Sequence, residues 1–291
     1  MRHKIQKMER TSIQEFKAAM KREMADIYPQ NEIMQLSKLA LQHVLDLNPT
    51  QLLTLGNPTL SAEQTEALNQ ILIRLKNTEP IQYIIGHTHF YELELMVNPS
   101  VLIPRPETEE LVHWILNDTS INKSSILDIG TGSGCIPLAL KKQTQDAYVE
   151  AWDISKEALV VAQQNAKNLD LDVNFKEVDA LNCDGELTMF TCIVSNPPYV
   201  RQLEKIMMEA NVLKHEPHTA LFVEDNDALL FYRAIAEKGL EILSADGVLF
   251  FEINEYLENE MTELLKGLNY SGIECRKDLQ GKARMIKARR P

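Results

Sequence analysis

Apolar residues recur every three to four positions from Ile5 to about Ile85, the spacing of amphipathic helices. Ile13, Phe16, Met20 and Met24 make one stripe, and Met34, Leu36, Leu39, Leu41, Val44 and Leu45 make a second. Pro29, Asn48-Pro49 and Gly56-Asn57-Pro58 punctuate the run. Ser61-Ala62-Glu63-Gln64 has the form of a capped start for the helix carrying Leu68, Ile71, Leu72 and Leu75. Pro80 is the expected end of this small bundle. From Tyr83 to Ile103 the pattern turns β-like, and Phe90–Val97 partly alternates, as in a hairpin. Leu102–Glu109 then reads as a stiff turn leading into a helix over Glu109–Leu116.

From Ser124 onward, strands and helices alternate. Strand Ser125–Ile129 precedes helix Cys135–Gln143, and strand Tyr148–Trp152 precedes helix Lys156–Asn168. Strands Val173–Val178 and Phe190–Val194 follow, then helix Ala228–Leu243, strand Gly247–Ile253 and helix Leu257–Leu268. Two short β segments, Ser271–Arg276 and Ala283–Ala288, close the chain. This alternation predicts an α/β fold with a largely parallel sheet and helices on both faces. Three regions are expected: a helical domain over 1–82, a hairpin linker over 83–106 and an α/β domain over 107–291.

Composition narrows the function without naming it. Hydrophobic residues make up 44% and charged residues 25% of the 291, as in a globular protein with a sizeable core. No apolar run approaches membrane-spanning length, and the opening Met1-Arg2-His3-Lys4 lacks the apolar core of a secretion signal. Cys135, Cys183, Cys192 and Cys275 are scattered without metal or dithiol spacing, so buried reduced thiols in a cytoplasmic protein are expected. His87 and His89 have no further ligand nearby in the sequence, and no metal site is expected. A net charge of −12 argues against a generic polyanion binder. Residues 1–22 depart from this, carrying about +5 through Arg2, Lys4, Lys7, Arg10, Lys17, Lys21 and Arg22 against Glu9 and Glu15. A solvated helix face is the expected reading, with a nucleic-acid arm as its alternative.

The chemistry gathers at strand ends. Ile126-Leu127-Asp128-Ile129 runs into Gly130-Thr131-Gly132-Ser133-Gly134, where glycines permit positive φ and close approach of a ligand to the backbone. No Lys-Ser/Thr follows as a phosphate loop needs, and Asp128 would repel phosphate while tolerating a cationic amino-acid group. Asp153 ends the next strand, where an acid takes ribose hydroxyls; Asp179-Ala180 ends the third, placed to accept from an adenine amine. An amino acid, a ribose diol and an adenine together describe S-adenosylmethionine. A nicotinamide dehydrogenase is the rival, and simple capping is the structural alternative for each acid. Phe190–Val194 runs through Ser195 into Asn196-Pro197-Pro198-Tyr199-Val200, whose prolines fix φ and donate no N–H. This rigid mount suits a planar neutral group bearing NH2, bonded by the Asn amide and a backbone carbonyl and stacked on by the ring.

Leu127–Gly134 (LDIGTGSG), Ser195–Val200 (SNPPYV), Leu102–Glu109 (LIPRPETE) and Glu216–Leu221 (EPHTAL) together resemble the HemK/PrmC release factor glutamine methyltransferases. The resemblance covers about residues 80–290. It implies a Rossmann-like class I methyltransferase domain whose mostly parallel seven-stranded sheet ends in an antiparallel hairpin, beside a small all-α N-terminal domain that helps hold the release factor. By motif position, Gly130, Thr131, Gly132, Ser133, Gly134, Asp153, Asp179, Ala180 and Asn196 would border S-adenosyl-L-methionine and its product S-adenosyl-L-homocysteine. Asn196, Pro197, Pro198 and Tyr199 would hold the glutamine of a GGQ-type segment. Some relatives carry a Trp after the third-strand acid; Ala180 stands here. The implied partner is a peptide chain release factor, with a monomer expected and neither membrane nor stable nucleic acid as a partner.

A glutamine amide nitrogen is a poor nucleophile because its lone pair is delocalised into the carbonyl. The Asn196 side-chain oxygen and the Pro197 carbonyl would accept its two N–H groups and hold it in reactive orientation, with Tyr199 stacked on the amide plane. Three alternatives use the same fold: methylation of an adenine amine in DNA or RNA, methylation of a glutamine in a ribosomal protein, and a non-catalytic binding module.

Overall fold

The computed structural model describes residues 8, 11–119, 122–183 and 188–291, and the chain divides into two compact units. The basic residues Arg2, Lys4, Lys7 and Arg10 lie outside the described residues.

The first unit is helical and runs to Gly86, with a later stretch, residues 209–215, included in it. Its elements are α1 (Ile13–Met24), α2 (Gln30–Leu45), α3 (Pro49–Thr54), α4 (Ala62–Lys76) and α5 (Ile81–Ile85). The breakers act as helix starts. Ser12, Asn48 and Ser61 each cap a following helix through a reciprocal bond with Glu15, Gln51 and Gln64. Phe16, Met20, Met24, Leu41, Leu68 and Leu72 fill the core, each worth roughly 1.5–3 kcal/mol of burial. Two expectations fail here. Met34 is 60% exposed and Ile33 turns inward in its place, while Leu36 and Leu41 are buried and Leu39, Val44 and Leu45 pack against the core as expected. Pro80 does not end the bundle but precedes α5, where its missing N–H costs no helical bond, and Gly86 at φ +81° makes the actual stop.

The second unit holds the sheet. Hairpin strands β1 (His87–Phe90) and β2 (Leu93–Met96) lead to α6 (Pro106–Asn117). Then come β3 (Ser125–Ile129), α7 (Cys135–Gln143), β4 (Tyr148–Asp153), α8 (Lys156–Leu169), β5 (Asn174–Glu177) and β6 (Phe190–Ser195). A loop region the sequence pattern left unassigned carries β7 (Val200–Arg201), a 3-10 turn at Gln202–Met207, α9 (Ala210–His215, within the helical unit) and β8 (Phe222–Val223). The chain ends with α10 (Leu230–Ile242), β9 (Leu243–Glu252), α11 (Glu258–Gly267), β10 (Ser271–Lys277) and β11 (Ala283–Arg289).

Among the described residues the main sheet has seven strands in the order β10-β11-β9-β6-β3-β4-β5, parallel except around β11, which is antiparallel to both neighbours. The fold is thus the expected mostly parallel α/β sheet with an antiparallel final hairpin. Adjacent residues of one strand face opposite layers, so central strands are apolar throughout. Ile126, Val194 and Phe250 pack with Leu111, Trp114 and Leu138 on one side, and Leu127, Ile193 and Phe251 pack with Tyr232, Ile235 and Met261 on the other.

The hairpin is built into this core, since Phe90, Leu93 and Leu95 are buried with the first layer. Buried Asn165 of α8 fastens it: Nδ2 donates to the Met96 carbonyl (3.0 Å) and the Ser133 carbonyl (2.9 Å), and Oδ1 accepts from Met96 N–H (2.7 Å). Replacing Asn165 by Ala leaves these backbone groups unpaired beneath the surface. Chemical denaturation should show a loss of about 3 kcal/mol for Asn165→Ala, with the parallel sheet retained by circular dichroism.

Candidate active site

The sheet reverses its winding between β3 and β6, which pair in parallel with Ile129 opposite Ser195. Ser195 Oγ donates to the Ile129 carbonyl at 2.6 Å and pins the two strand ends together. Gly130 and Asn196 therefore leave the sheet side by side, at the crevice where doubly wound folds bind ligands. The loop after β3 needs its glycines. Gly130, Gly132 and Gly134 have φ of +78°, +55° and +80°. A Cβ on Gly134 would meet the Ala162 Cβ at 3.1 Å, whereas one on Gly130 or Gly132 would project into open space, room that a ligand can use.

Asp128 and Asp153 flank that loop, and Asp179 follows β5, two strands from β3. Asp128 is fully buried, and burial pushes its carboxyl up to about 7 against a weak pull from the Thr131 hydroxyl, which lies outside ideal hydrogen-bond geometry. A cationic group bound at the loop would offset that cost. Asp153 Oδ2 accepts from Gly132 N–H at 2.8 Å and Oδ1 from Ser155 N–H at 2.9 Å; burial raises its pKa against these two bonds. Asp179 accepts from Leu181 N–H at 2.9 Å and from the Asn182 amide at 2.7 Å, beside half-buried Ala180. Asp153 and Asp179 thus shape their own loops, and each carboxylate oxygen keeps a second lone pair for a ligand hydroxyl or amine. Open loop, buried carboxylate and two strand-end acids fit an amino acid joined to a nucleoside.

Beyond β6, Asn196 Nδ2 donates to Thr108 Oγ1 at 3.3 Å. Thr108 donates to Glu252 Oε2 at 2.6 Å, and Tyr199 OH donates to Glu252 Oε1 at 3.1 Å. Glu252 sits at the end of β9, 1% exposed. Burial raises its pKa, while the Thr108 and Tyr199 hydroxyls and the charge of Arg284 pull it down. Tyr199 itself is held neutral, its pKa raised by burial and by the Glu252 charge. Asn196, Pro197, Tyr199 and Glu252 line a cavity of about 50 Å³, with Arg105, Leu102 and Leu221 on its other side.

Loop-to-loop bonds hold this cavity. Arg105 donates to Glu216 Oε1 at 2.7 Å and Oε2 at 2.8 Å, and the Glu216 side chain is 1% exposed. Val200 N–H bonds the Leu221 carbonyl at 2.9 Å, and β7 pairs in parallel with β8. Asn254 bridges the Tyr199 carbonyl (3.3 Å) and Glu204 (3.1 Å), which also pairs with Arg201 at 2.8 Å.

Sequence reasoning left out Thr108, Glu252, Asn165 and Asn254, and gave Arg105 no role. A signal for Glu252 was present: Val248-Leu249-Phe250-Phe251-Glu252 is an apolar strand ending in one acid, as the strand before the glycine loop ends near Asp128. Thr108 and Asn254 carry no such mark, because their partners lie 144 and 50 positions away in sequence.

Comparison with known proteins adds the following. Residues 29–86 match a family described as PrmC N-terminal domain, and residues 108–222 match the methyltransferase small domain. A release factor glutamine methyltransferase of Flavobacterium psychrophilum is 44% identical over 281 residues, covering 94% of this chain and 98% of the relative. Its counterpart in Bacteroides thetaiotaomicron is 44% identical over 274 residues, at 94% and 98% coverage. Among solved structures, the Thermus thermophilus 16S rRNA N2 G1207 methyltransferase RsmC superposes with a TM-score of 0.52 at 18% identity, over 70% of this chain and 50% of that one. A methyltransferase of Pyrococcus furiosus gives 0.50 at 17% identity, over 68% and 88%. These structural likenesses speak for the fold alone.

Two outcomes follow from the charges. The native state holds a proton on Asp128 that the unfolded chain releases near pH 4, so its contribution to stability falls as pH rises from about 4 to about 7 and is flat above. The stability difference between wild type and Asp128→Asn, measured by denaturation across that range, should shift against wild type by up to about 4 kcal/mol. Arg105→Met strands the buried Glu216 charge and should cost about 2 kcal/mol by the same assay, discounted for the partial exposure of Arg105.

Proposed function

The chain belongs to the release factor glutamine methyltransferases, and we propose that it methylates the side-chain amide nitrogen of a glutamine in a peptide chain release factor. It is an enzyme, and S-adenosyl-L-methionine, its methyl donor, supplies an electrophilic sulfonium methyl when bound. The residues at the loop after β3, Gly130, Thr131, Gly132, Ser133 and Gly134, together with Asp128, Asp153 and the Asp179-Ala180 turn, would hold it.

The observation that carries the substrate reading is the cavity behind Asn196. At the 10–15 Å³ that one water needs, about 50 Å³ takes about four water-sized groups. That is room for the few heavy atoms of a carboxamide, as the side chain of a glutamine needs. In this slot Asn196 Oδ1 and the Pro197 carbonyl accept the two N–H groups of the glutamine amide. Pro197 and Pro198 keep both acceptors stiff, and the Tyr199 ring covers the amide plane. The nitrogen lone pair is then turned toward the glycine loop one strand away. Burial within the pocket excludes water that would compete for the same acceptors.

The acidic surface, at a net charge of −12, further favours a protein substrate over nucleic acid. No helix of the described residues is long and apolar enough to cross a membrane. We place the protein in the cytoplasm, where release factors act, as a monomer whose helical domain, 1–82, and hairpin segment, 83–106, assist docking to the 107–291 catalytic domain.

Incubation with labelled S-adenosylmethionine and, separately, a release factor, a ribosomal protein fraction and duplex DNA tests this. Label should appear on a release factor glutamine mapped by mass spectrometry; label on DNA alone would overturn the reading. Asn196→Ala should reduce turnover by at least about 100-fold while leaving cofactor affinity within about twofold, because it removes an orienting contact at the reacting group.

A further inference from the structure

We propose that Thr108 and Glu252 are positioning residues that dictate which end of the Asn196 amide faces the substrate, and that they thereby make the pocket accept glutamine and reject glutamate. The inference rests on the reading of Asn196 as the acceptor for the substrate amide.

An Asn side chain offers an acceptor at one end and donors at the other, and the two ends have nearly the same shape. Shape alone cannot choose between them. The choice is made two residues away. Glu252 is buried at the end of β9, and two hydroxyls converge on it: Thr108 at 2.6 Å and Tyr199 at 3.1 Å. A carboxylate has no hydrogen to give, so both hydroxyls spend theirs on it. The Thr108 oxygen is left with lone pairs only, and the one group it can receive from Asn196 is the NH2, at 3.3 Å. A flipped Asn196 would set its carbonyl oxygen against those lone pairs inside a site where Thr108 is 2% exposed. Oδ1 is therefore turned the other way, into the cavity.

The sense of this relay sets specificity. An inward-facing acceptor pairs with the N–H of a primary amide and repels the oxygens of a carboxylate, which offers no hydrogen at neutral pH. Tyr199 is tied to the same Glu252, so one buried carboxylate aligns both the acceptor and the ring beside it. Thr108 stands in the first turn of α6, whose start is fixed by Pro106 and by the paired Arg105. The turn from Leu102 to Glu109 thus acts on the pocket through Thr108 rather than through its charged residues.

The test compares wild type with Thr108→Val, which keeps the shape and removes the hydroxyl, and Thr108→Ser, which restores it. In protein labelled with 15N-asparagine, the Asn196 side-chain NH2 signal, identified by its loss in Asn196→Ala, should be protected from solvent exchange in wild type and Thr108→Ser. That protection should fall at least about tenfold in Thr108→Val. On a release factor, kcat of Thr108→Val should drop about 10- to 100-fold with KM and cofactor affinity within about twofold, and Thr108→Ser should recover most of it. Binding of a glutamine peptide over its glutamate counterpart should lose its preference in Thr108→Val by a similar factor. Equal protection and equal kcat in a folded Thr108→Val would overturn the proposal. If wild type transferred no methyl to any release factor but the protection pattern held, the orienting relay would stand and the substrate reading would fall.

Discussion

The parallel pairing of β3 with β6 is the constraint on which the site depends. These two strands begin the opposite-going halves of the sheet, so their C-terminal ends open a crevice that no crossover helix covers. With Ile129 opposite Ser195, and the Ser195 hydroxyl on the Ile129 carbonyl, the glycine loop and Asn196 depart from one level of the sheet. A one-residue slip would point every side chain of β6 to the other layer and take Asn196 away from both Thr108 and the loop. The apolar faces of β6, with Cys192 and Val194 on one side and Ile193 on the other, make that slip costly. Packing of the two helical layers is thus what keeps the glycine loop and the Asn-Pro-Pro-Tyr loop in register.

The ends of β3 and β9 hold two buried acids, Asp128 and Glu252, and burial raises both pKa values. Stability alone would favour apolar residues there, since an unpaired buried carboxyl costs several kcal/mol. The two acids meet the cost differently. Glu252 is repaid in place by Thr108 and Tyr199, and so can work as a fixed acceptor at all times. Asp128 is compensated only in part, by the nearby Thr131 hydroxyl, so burial still pushes its carboxyl up to about 7. Glu252 is a structural anchor of its pocket, and Asp128 is an acid whose burial a positive charge at the glycine loop would relieve.

Much of this was legible along the chain. Alternation of strands and helices, with turn residues between them, gave the parallel sheet, because each buried strand must be near-continuously apolar and each helix amphipathic. Gly130–Gly134 and Asn196–Tyr199 were visible because their chemistry is local: positive φ, fixed φ and missing donors are properties of single residues. What stayed hidden is long-range. The Thr108–Glu252 bond spans 144 positions and Arg105–Glu216 spans 111, and nothing in either neighbourhood announces its partner. Met34 departs from the α2 stripe for a different reason: it is apolar yet flexible, and tolerates 60% exposure where a stripe would bury it. Pro80 was misread because proline both stops and starts helices, and only the glycine that follows, Gly86, decides where this one ends.

The Arg105–Glu216 pair gives the two motif segments, Leu102–Glu109 and Glu216–Leu221, a common purpose that neither has alone. Glu216 is buried and satisfied by both guanidinium bonds, with the Ile103 N–H at 3.4 Å, so its segment is locked to the turn before α6. Leu221, a few residues on, bonds Val200 and thereby the far side of the Asn-Pro-Pro-Tyr loop. The pocket is in this way closed by a ring of contacts: α6 to Glu252, Glu252 to Tyr199, Val200 to Leu221, and Glu216 back to Arg105. A slot only a few atoms wide works as a filter when its walls cannot spread, because a larger group gains entry in proportion to the ease of opening. Arg105 Nη2 reaches both oxygens of the buried Glu216, a charge-assisted closure for two loops that share no strand. Under the proposed reading, selectivity for a small planar amide rests as much on this ring as on Asn196.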